Sequence, residues 1–561
     1  MRLYWSPSSN LSSAEIIELW ENTLASPPSV VACDTETISL NNKSVVGVGI
    51  AINSMQGFYV TPDDPDFLRY LTLLQDPRTQ VIYHNAPFDL RVLRPHKVQY
   101  SNIDDTANLC RLANQPADLE TASWFVGLPT EQAKKFMERF KAKTMQDAPP
   151  ADVGKKCCQD AIATYRLYFY LQKECPEIWS YYRKFDRALI PRLEDINAVG
   201  INLHQETLDR LDDFYTGELS FYRTVANNMG FNPGSSQQVG YVLAKRGNYL
   251  PLNKSKMHLA TDDDTLQKFN DPLIPLILNY RHCQVMKRTF VDKLKMSSRA
   301  YTTLAPDAIT GRLTSKDMNL QNIPNLSDVG KAVRMRMAFW PDEPETIWTS
   351  WDASQIELRV LAHLSDDPTM KEIFASTGGD IHGNTEHALW GTRGPNRLRA
   401  KTFNFAMVYG ADVQTVADRI HERRISTVSH LMRSWMKAYP VAASWIQTQV
   451  EAAQYTGAVE SMFGRKMVLP VDRGEKHMNN CAINFPIQCS AGEIWKLVML
   501  ELAGLNLIPQ TRNQVHDELN FSGAVLPPKD LEDLSPIHVP IEVKQGSNWG
   551  MLSDVATPRY Q

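Results

Sequence analysis

Arg397, Lys401, Phe405 and Tyr409 recur at intervals of four within the segment RLRAKTFNFAMVYG. The spacing is helical: each step overshoots a full turn by about 40°, so all four side chains share one broad face. That face is cationic at its start and aromatic at its end. Four residues of helix rise about 6 Å, close to the reach of adjacent phosphates in a triphosphate. The face could therefore hold a nucleotide, phosphates first and base second. Taken by itself, the stripe reads as an amphipathic helix whose aromatic side is simply core. Its meaning depends on what accompanies it.

The chain around it has 561 residues, room for about three to four domains of roughly 150 residues. From Ser29 to about Tyr170, short apolar runs (Val30–Cys33, Val45–Ile52, Val81–Tyr83) alternate with helical stretches, the pattern of an α/β unit. From about Arg183 to Arg299 the signal is helical, with a turn at Pro233–Ser236 opening one amphipathic stretch. Arg281, Lys287, Arg288, Lys293, Lys295 and Arg299 stand against a single acid, Asp292. They read as a solvated face or, more sharply, as a seat for nucleic-acid phosphates. A turn-rich strip, TGRLTSKDMNLQNIPN, precedes a strand at Thr346–Ser350. A mostly helical section runs from about Asp366 to Leu505, and strand-like segments follow around Val515 and His538–Val543.

Composition removes several classes. With 43% hydrophobic and 22% charged residues, the chain is neither disordered nor a small disulfide scaffold. Eight cysteines without a CxxC pair argue against zinc and for a reducing compartment. No apolar run reaches membrane-span length, and the N-terminus lacks a signal-peptide layout, so a cytoplasmic protein is expected. A net charge of −4 is compatible with a nucleic-acid partner if the cations are segregated.

Asp34 and Glu36 close an apolar run. On a strand, residues i and i+2 face the same side, so the two carboxylates sit together and repel unless cations lie between them. Asp89, in NAPFD behind a strand, and Asp160, entering a helix, add two more acids. Either could be plain helix-start charge. Together the three segments resemble the DEDD-type 3′–5′ proofreading exonucleases. The resemblance implies an RNase H-like domain in which Asp34, Glu36, Asp89 and Asp160 hold two divalent metals. Lys156 departs from it, standing where the family usually has a water-orienting Tyr.

A second set of acids lies in WDASQIELR (Asp352) and QVHDE (Asp517, Glu518). Residues 301–561 resemble the polymerase core of family A DNA polymerases. DASQIELR is similar to motif A, RLRAKTFNFAMVYG to the fingers helix and QVHDE to motif C. TGRLTSKDMNLQNIPN, GDIH and INFPIQCSAGEIWK match as well. The preceding helical section resembles the family's thumb.

The resemblance implies a multidomain α/β and α+β chain: exonuclease domain 1–180, thumb 181–300, palm 301–365, fingers 366–490 and palm again 491–561. It implies template-directed synthesis by two-metal phosphoryl transfer. Asp352 and Asp517 would hold two Mg²⁺ ions, with Mn²⁺ an able substitute and Glu518 in support. Arg397, Lys401 and His382 would bind the triphosphate, with Lys401 the proton donor to pyrophosphate. Phe405 would pack on the nucleotide, Tyr409 would sit on the template side, and Glu357 would exclude a ribose 2′-OH. Gln355, Arg312, Asn484, Gln488 and His516, with Asn319, Gln321 and Asn322, would contact DNA.

Partners would be primer–template DNA and deoxynucleoside triphosphates, with no membrane, and the chain a monomer. The compact plan suggests a phage replicase. Three further departures are Ala353 for a bacterial Tyr, Asn480 for a frequent Arg, and Phe405 where some members have Tyr. A single-subunit RNA polymerase shares the metal-binding logic, but Glu357 and the exonuclease acids speak against it. A non-catalytic DNA-binding remnant would have lost a carboxylate, and none is missing.

Overall fold

The computed structural model describes residues 2–6, 12–39, 42–98, 102–253, 255–324, 334–343, 345–376 and 378–555; Asn325, the last residue of the turn-rich strip, lies outside them. Six strands form the N-terminal sheet: β1 (Arg2–Trp5), β2 (Val30–Thr37), β3 (Val45–Ala51), β4 (Gly57–Val60), β5 (Gln80–Tyr83) and β6 (Ile103–Asp105). Their order is β1-β4-β3-β2-β5-β6, with β2 parallel to β5 and antiparallel to β3. β2 continues past the apolar run, so Asp34 and Glu36 lie inside the strand.

Helix α1 (Pro150–Glu174) crosses β2 and β3. Glycine decides how closely: Gly49 pairs with Asp34, and a Cβ there would lie 2.8 Å from the Cys157 carbonyl oxygen. Without that atom, the helix backbone comes down onto the sheet beside Asp34.

The stretch expected as one helical unit, 181–300, divides in two. Helix α2 (Asp186–Val199) sends Ile190 into the N-terminal core. From the same helix, Leu189, Leu193 and Ile196 enter the core of the C-terminal half. The apolar pattern could not distinguish these destinations, because both cores want the same side chains. The long helix α3 (Gln205–Asn228) packs along α4 (Leu273–Val285), and the core they share reaches Trp348 and Val515 of the C-terminal sheet. Within the basic segment, Asp212 engages both Lys287 and Lys295, so part of that charge is matched inside the helical layer.

The C-terminal half is built on a five-stranded sheet containing β7 (Trp348–Ala353), β8 (Thr511–Val515), β9 (Glu518–Ser522), β10 (Ile541–Gly546) and β11 (Leu552–Asp554). The order β8-β9-β7-β10-β11 makes β7 central, which buries Trp348 and Trp351. Helices α5 (Ile356–Ser365), α6 (Ile381–Trp390) and α7 (Arg397–Val408) surround it. So does α8 (Glu475–Glu501), which runs unbroken through the boundary expected at 490/491. Pro486 lies inside α8, and Ser490 Oγ donates to its carbonyl at 2.6 Å.

Candidate active sites

The palm acids meet at one end of the central strand. Asp352 is paired with Glu518 on one side and Glu542 on the other, so the three carboxylates share a face of the sheet. Asp517 belongs to the two-residue turn of the β8–β9 hairpin, where His516 takes a left-handed φ of 54°. The Ala353 N–H donates to the Asp517 carbonyl at 3.0 Å. Two acids far apart in the chain thus lie one residue out of register, Asp352 within β7 and Asp517 in the turn beside it.

Burial raises Asp352 to about 7, helped by Glu518, Asp517 and Glu542 and opposed by Lys544. Burial likewise raises Asp517 to about 6, with Arg312 opposing. Among the described residues, neither carboxylate is held by an ion pair or hydrogen bond. Such a crowded, unpartnered pair of hard oxygen donors fits divalent cations. Glu518 is different: Ser350 Oγ and Trp549 Nε1 donate to its Oε1 at 2.8 and 2.9 Å, and Arg336 holds Oε2 at 3.2 Å.

A cleft of about 610 Å³ opens over these acids. Its far wall is α7 and α6, which contribute Arg397, Lys401, Phe405 and His382. Arg397 makes a two-nitrogen contact with Asp380 at 2.9 Å each. Phe405 and Tyr409 lie with ring centroids 6.2 Å apart and planes 21° from parallel. The Tyr409 hydroxyl donates to Glu357 Oε2 at 2.8 Å, and Arg312 binds the other oxygen. Glu357 is thereby fixed at the cleft edge between two donors.

The polar residues around the cleft divide by what they touch. Gln355 takes a left-handed φ of 53° and donates to the Gly379 carbonyl at 3.4 Å. Gln321 donates to Gln514 Oε1 at 3.2 Å, while Asn322 lines the cleft. Asn484 Nδ2 reaches the Tyr409 carbonyl at 3.5 Å, and Gln488 is half-buried one turn further along α8. Asn319 faces its own turn, its side chain accepting from the Gln321 N–H at 3.1 Å.

Asn404 was not evident from the sequence. Trp435 Nε1 and Thr385 Oγ1 donate to its Oδ1 at 2.9 and 3.0 Å, which turns its Nδ2 toward His382 Nδ1 at 3.0 Å. An indole can only donate, so the amide orientation follows, and the imidazole is left with its proton on Nε2. Burial, with Lys401 and Arg397 nearby, lowers His382 to about 4. His382 is therefore a neutral donor. The available signal was a polar residue on the buried side of an amphipathic helix.

At the N-terminal site, Asp34 and Glu36 share the face of β2 that α1 covers. Lys156 Nζ donates to Glu36 Oε1 and to Asp160 Oδ2, both at 2.6 Å. The Cys157 thiol lies 3.3 Å from Asp34 Oδ2. Asp34, Glu36 and Cys157 each offer an atom within 4.8 Å of the others. Asp89 is set apart: its Oδ1 accepts from Thr35 Oγ1 at 2.7 Å, and Thr35 alternates to the opposite face from Asp34 and Glu36. Burial lifts Asp89 to about 8. Divalent cations fit the Asp34–Glu36 side, but the space between Glu36 and Asp160 already holds an ammonium.

A sheet-and-helix domain bearing an acidic cluster is thus joined to a second sheet whose two adjacent acids face a cationic helix. Residues 205–539 match the family model of DNA polymerase family A, and residues 10–176 match that of a 3′–5′ exonuclease. The chain belongs to DNA polymerase family A.

DNA polymerase I of Synechocystis sp. is 30% identical over 96% of this chain and 61% of its own length. The thermostable DNA polymerase I of Thermus thermophilus is 33% identical over 66% of this chain and 48% of its own. The chain thus spans about half to three-fifths of these relatives. The polymerase domain of Pol1 from M. smegmatis, solved with DNA primer–template and dNTP, shares the fold. Its TM-score is 0.76 at 23% identity, covering 96% of this chain and 99% of that one. No helix among the described residues is long and apolar enough to cross a membrane.

Proposed function

We propose that the palm cleft performs template-directed, primer-dependent DNA synthesis from deoxynucleoside triphosphates, and that the N-terminal site removes 3′-terminal nucleotides. The reading is carried by Asp352 and Asp517 lying side by side across one cleft from Arg397, Lys401 and Phe405. Divalent cations, Mg²⁺ by expectation, bound by the two aspartates would supply activation of the primer 3′-oxygen and neutralise triphosphate charge.

The chain's own residues do the rest. Lys401 and Arg397 attract the phosphates, Arg397 exchanging Asp380 for a phosphate oxygen, and Lys401 is placed to protonate the departing pyrophosphate. His382, held as a neutral Nε2 donor by Asn404, gives a hydrogen bond to the phosphates without adding charge. Phe405 packs on the nucleotide, and Glu357 fills the space that a 2′-hydroxyl needs. Gln355, Arg312, Gln321, Asn322, Asn484, Gln488 and His516 surround the space for primer and template. There, minor-groove acceptors look alike for every base pair.

Primer extension on a defined template, with each deoxynucleotide supplied separately, then diaminopurine and ribonucleotides, with and without Mg²⁺, tests the reading. Extension should follow template identity and require the metal; preferential ribonucleotide incorporation overturns it. Glu357→Ala should relax sugar discrimination by about 10²-fold, read as the ratio of kcat/KM for the deoxy and ribo substrates, because it empties the space opposite the 2′ position.

Phe405 leads to a further expectation. It has no hydroxyl to make up for a missing 3′-OH, so the protein should incorporate dideoxynucleotides poorly. Phe405→Tyr should improve their use by about 10²-fold. Efficient termination of the unsubstituted chain by an equimolar dideoxynucleotide would contradict this.

A further inference from the structure

The N-terminal site differs from the arrangement its acids imply at one residue. Lys156 lies one turn before Asp160 on α1 and makes 2.6 Å contacts with Glu36 Oε1 and Asp160 Oδ2. All three side chains are buried, with 10%, 7% and 8% of their surface exposed. These are charge-assisted hydrogen bonds of short length, made where a bridging cation would otherwise join the same two carboxylates. A cavity of about 240 Å³ borders Lys156 and Asp160, so it is the pairing and not a lack of space that keeps the ammonium in place. Its helix is pressed onto the sheet at Gly49, and an expelled Lys156 would abandon two buried acids. A divalent ion added to the same gap would meet a fixed positive charge at close range in a dehydrated site.

What remains is enough for one ion. Asp34, Glu36 and Cys157 converge within 4.8 Å, while Asp160 Oδ1 is buried and has no hydrogen-bond partner among the described residues. Asp89 is drawn toward Thr35 on the other face of the strand. We propose that the Lys156 ammonium is a resident cation of this site, seated between Glu36 and Asp160, and that the site consequently takes one divalent ion, at Asp34 and Glu36, instead of two. The inference rests on reading the cluster as a metal-dependent nuclease site, but it concerns the number of ions and not the rate.

Ion counting tests it without reference to activity. The full chain carrying Asp352→Ala and Asp517→Ala, so that the palm site is silent, is titrated with Mn²⁺, and free Mn²⁺ is followed by its paramagnetic resonance signal. One bound ion per chain is expected with Lys156 in place, and two with Lys156→Met or Lys156→Tyr. Unchanged far-ultraviolet circular dichroism and melting serve as the check on folding. Adding Asp34→Ala to the Lys156-bearing chain should remove the single ion.

Two ions of similar affinity in the Lys156-bearing chain would overturn the proposal, as would a folded Lys156→Met chain that still binds only one. Retention of the ion after Asp34→Ala would overturn its assigned place. A parallel assay of 3′-terminal hydrolysis separates the two ideas. One bound ion without hydrolysis defeats the nuclease reading alone. Two ions with hydrolysis intact defeats only the resident-cation proposal.

Discussion

Asp352→Ala should reduce DNA synthesis by about 10³-fold or more while leaving 3′-terminal hydrolysis in place, and Asp34→Ala should do the reverse. On the proposed function the lost carboxylate is one that would hold a catalytic cation, a contribution of several kcal/mol at about 1.4 kcal/mol per decade of rate. The separation follows from the architecture. Asp34 lies in the six-stranded sheet and Asp352 in the five-stranded one, each over its own core. Asp352 is half-buried at a strand end and makes no ion pair among the described residues, so its removal should leave the fold intact. Extension of a labelled primer with all four deoxynucleotides reads the first activity, and shortening of the same primer without nucleotides reads the second. Loss of both activities from either folded variant would mean that the two sites do not work independently.

The sequence carried the parts of this arrangement that depend on local periodicity. Alternation along a strand placed Asp34 and Glu36 on one face, and four-residue spacing placed Arg397, Lys401 and Phe405 along one helix. Each property belongs to a single element and is written in its own residues. The pairing of Asp352 with Asp517 has no local signature, because strand register is set by long-range contacts; only the resemblance brought the two acids together.

Contacts between elements were not legible. Nothing in the spacing says that Lys156 reaches Glu36 on a strand 120 positions earlier. Nor does it say that Glu518 is held by Arg336 and Trp549, or that Asn404 orients His382. The role of α2 was hidden for a related reason. An apolar residue records that it will be buried but not against which neighbour, and α2 has two.

That shared helix gives the largest stability effect. Asp186, at the start of α2, accepts from Lys496 Nζ of α8 at 2.6 Å, and both are buried, at 0% and 1% exposed. Arg465 comes no nearer than 3.9 Å to the other oxygen of Asp186, which has no hydrogen-bond partner among the described residues. Lys496→Met should therefore leave a buried carboxylate almost uncompensated, at a cost of about 3–5 kcal/mol. Arg465 keeps its Nη2 on the Ala308 carbonyl at 3.0 Å, while the Nη1 that faces Asp186 makes no hydrogen bond among the described residues, so the size of the loss also reads how far that nitrogen can move in.

The double change Asp186→Asn with Lys496→Met should cost much less than Lys496→Met alone. Replacing both members removes the unpaired charge, whereas removing one creates it. Urea midpoints for the wild type, the two single variants and the double variant form the cycle, with a coupling of several kcal/mol as the expected result. A Lys496→Met chain as stable as the parent would show that water reaches Asp186 and that the pair is not what fastens α2 to α8. Since α2 also packs Ile190 into the N-terminal core, loosening its attachment should raise proteolytic cleavage between residues 175 and 205 before either sheet unfolds.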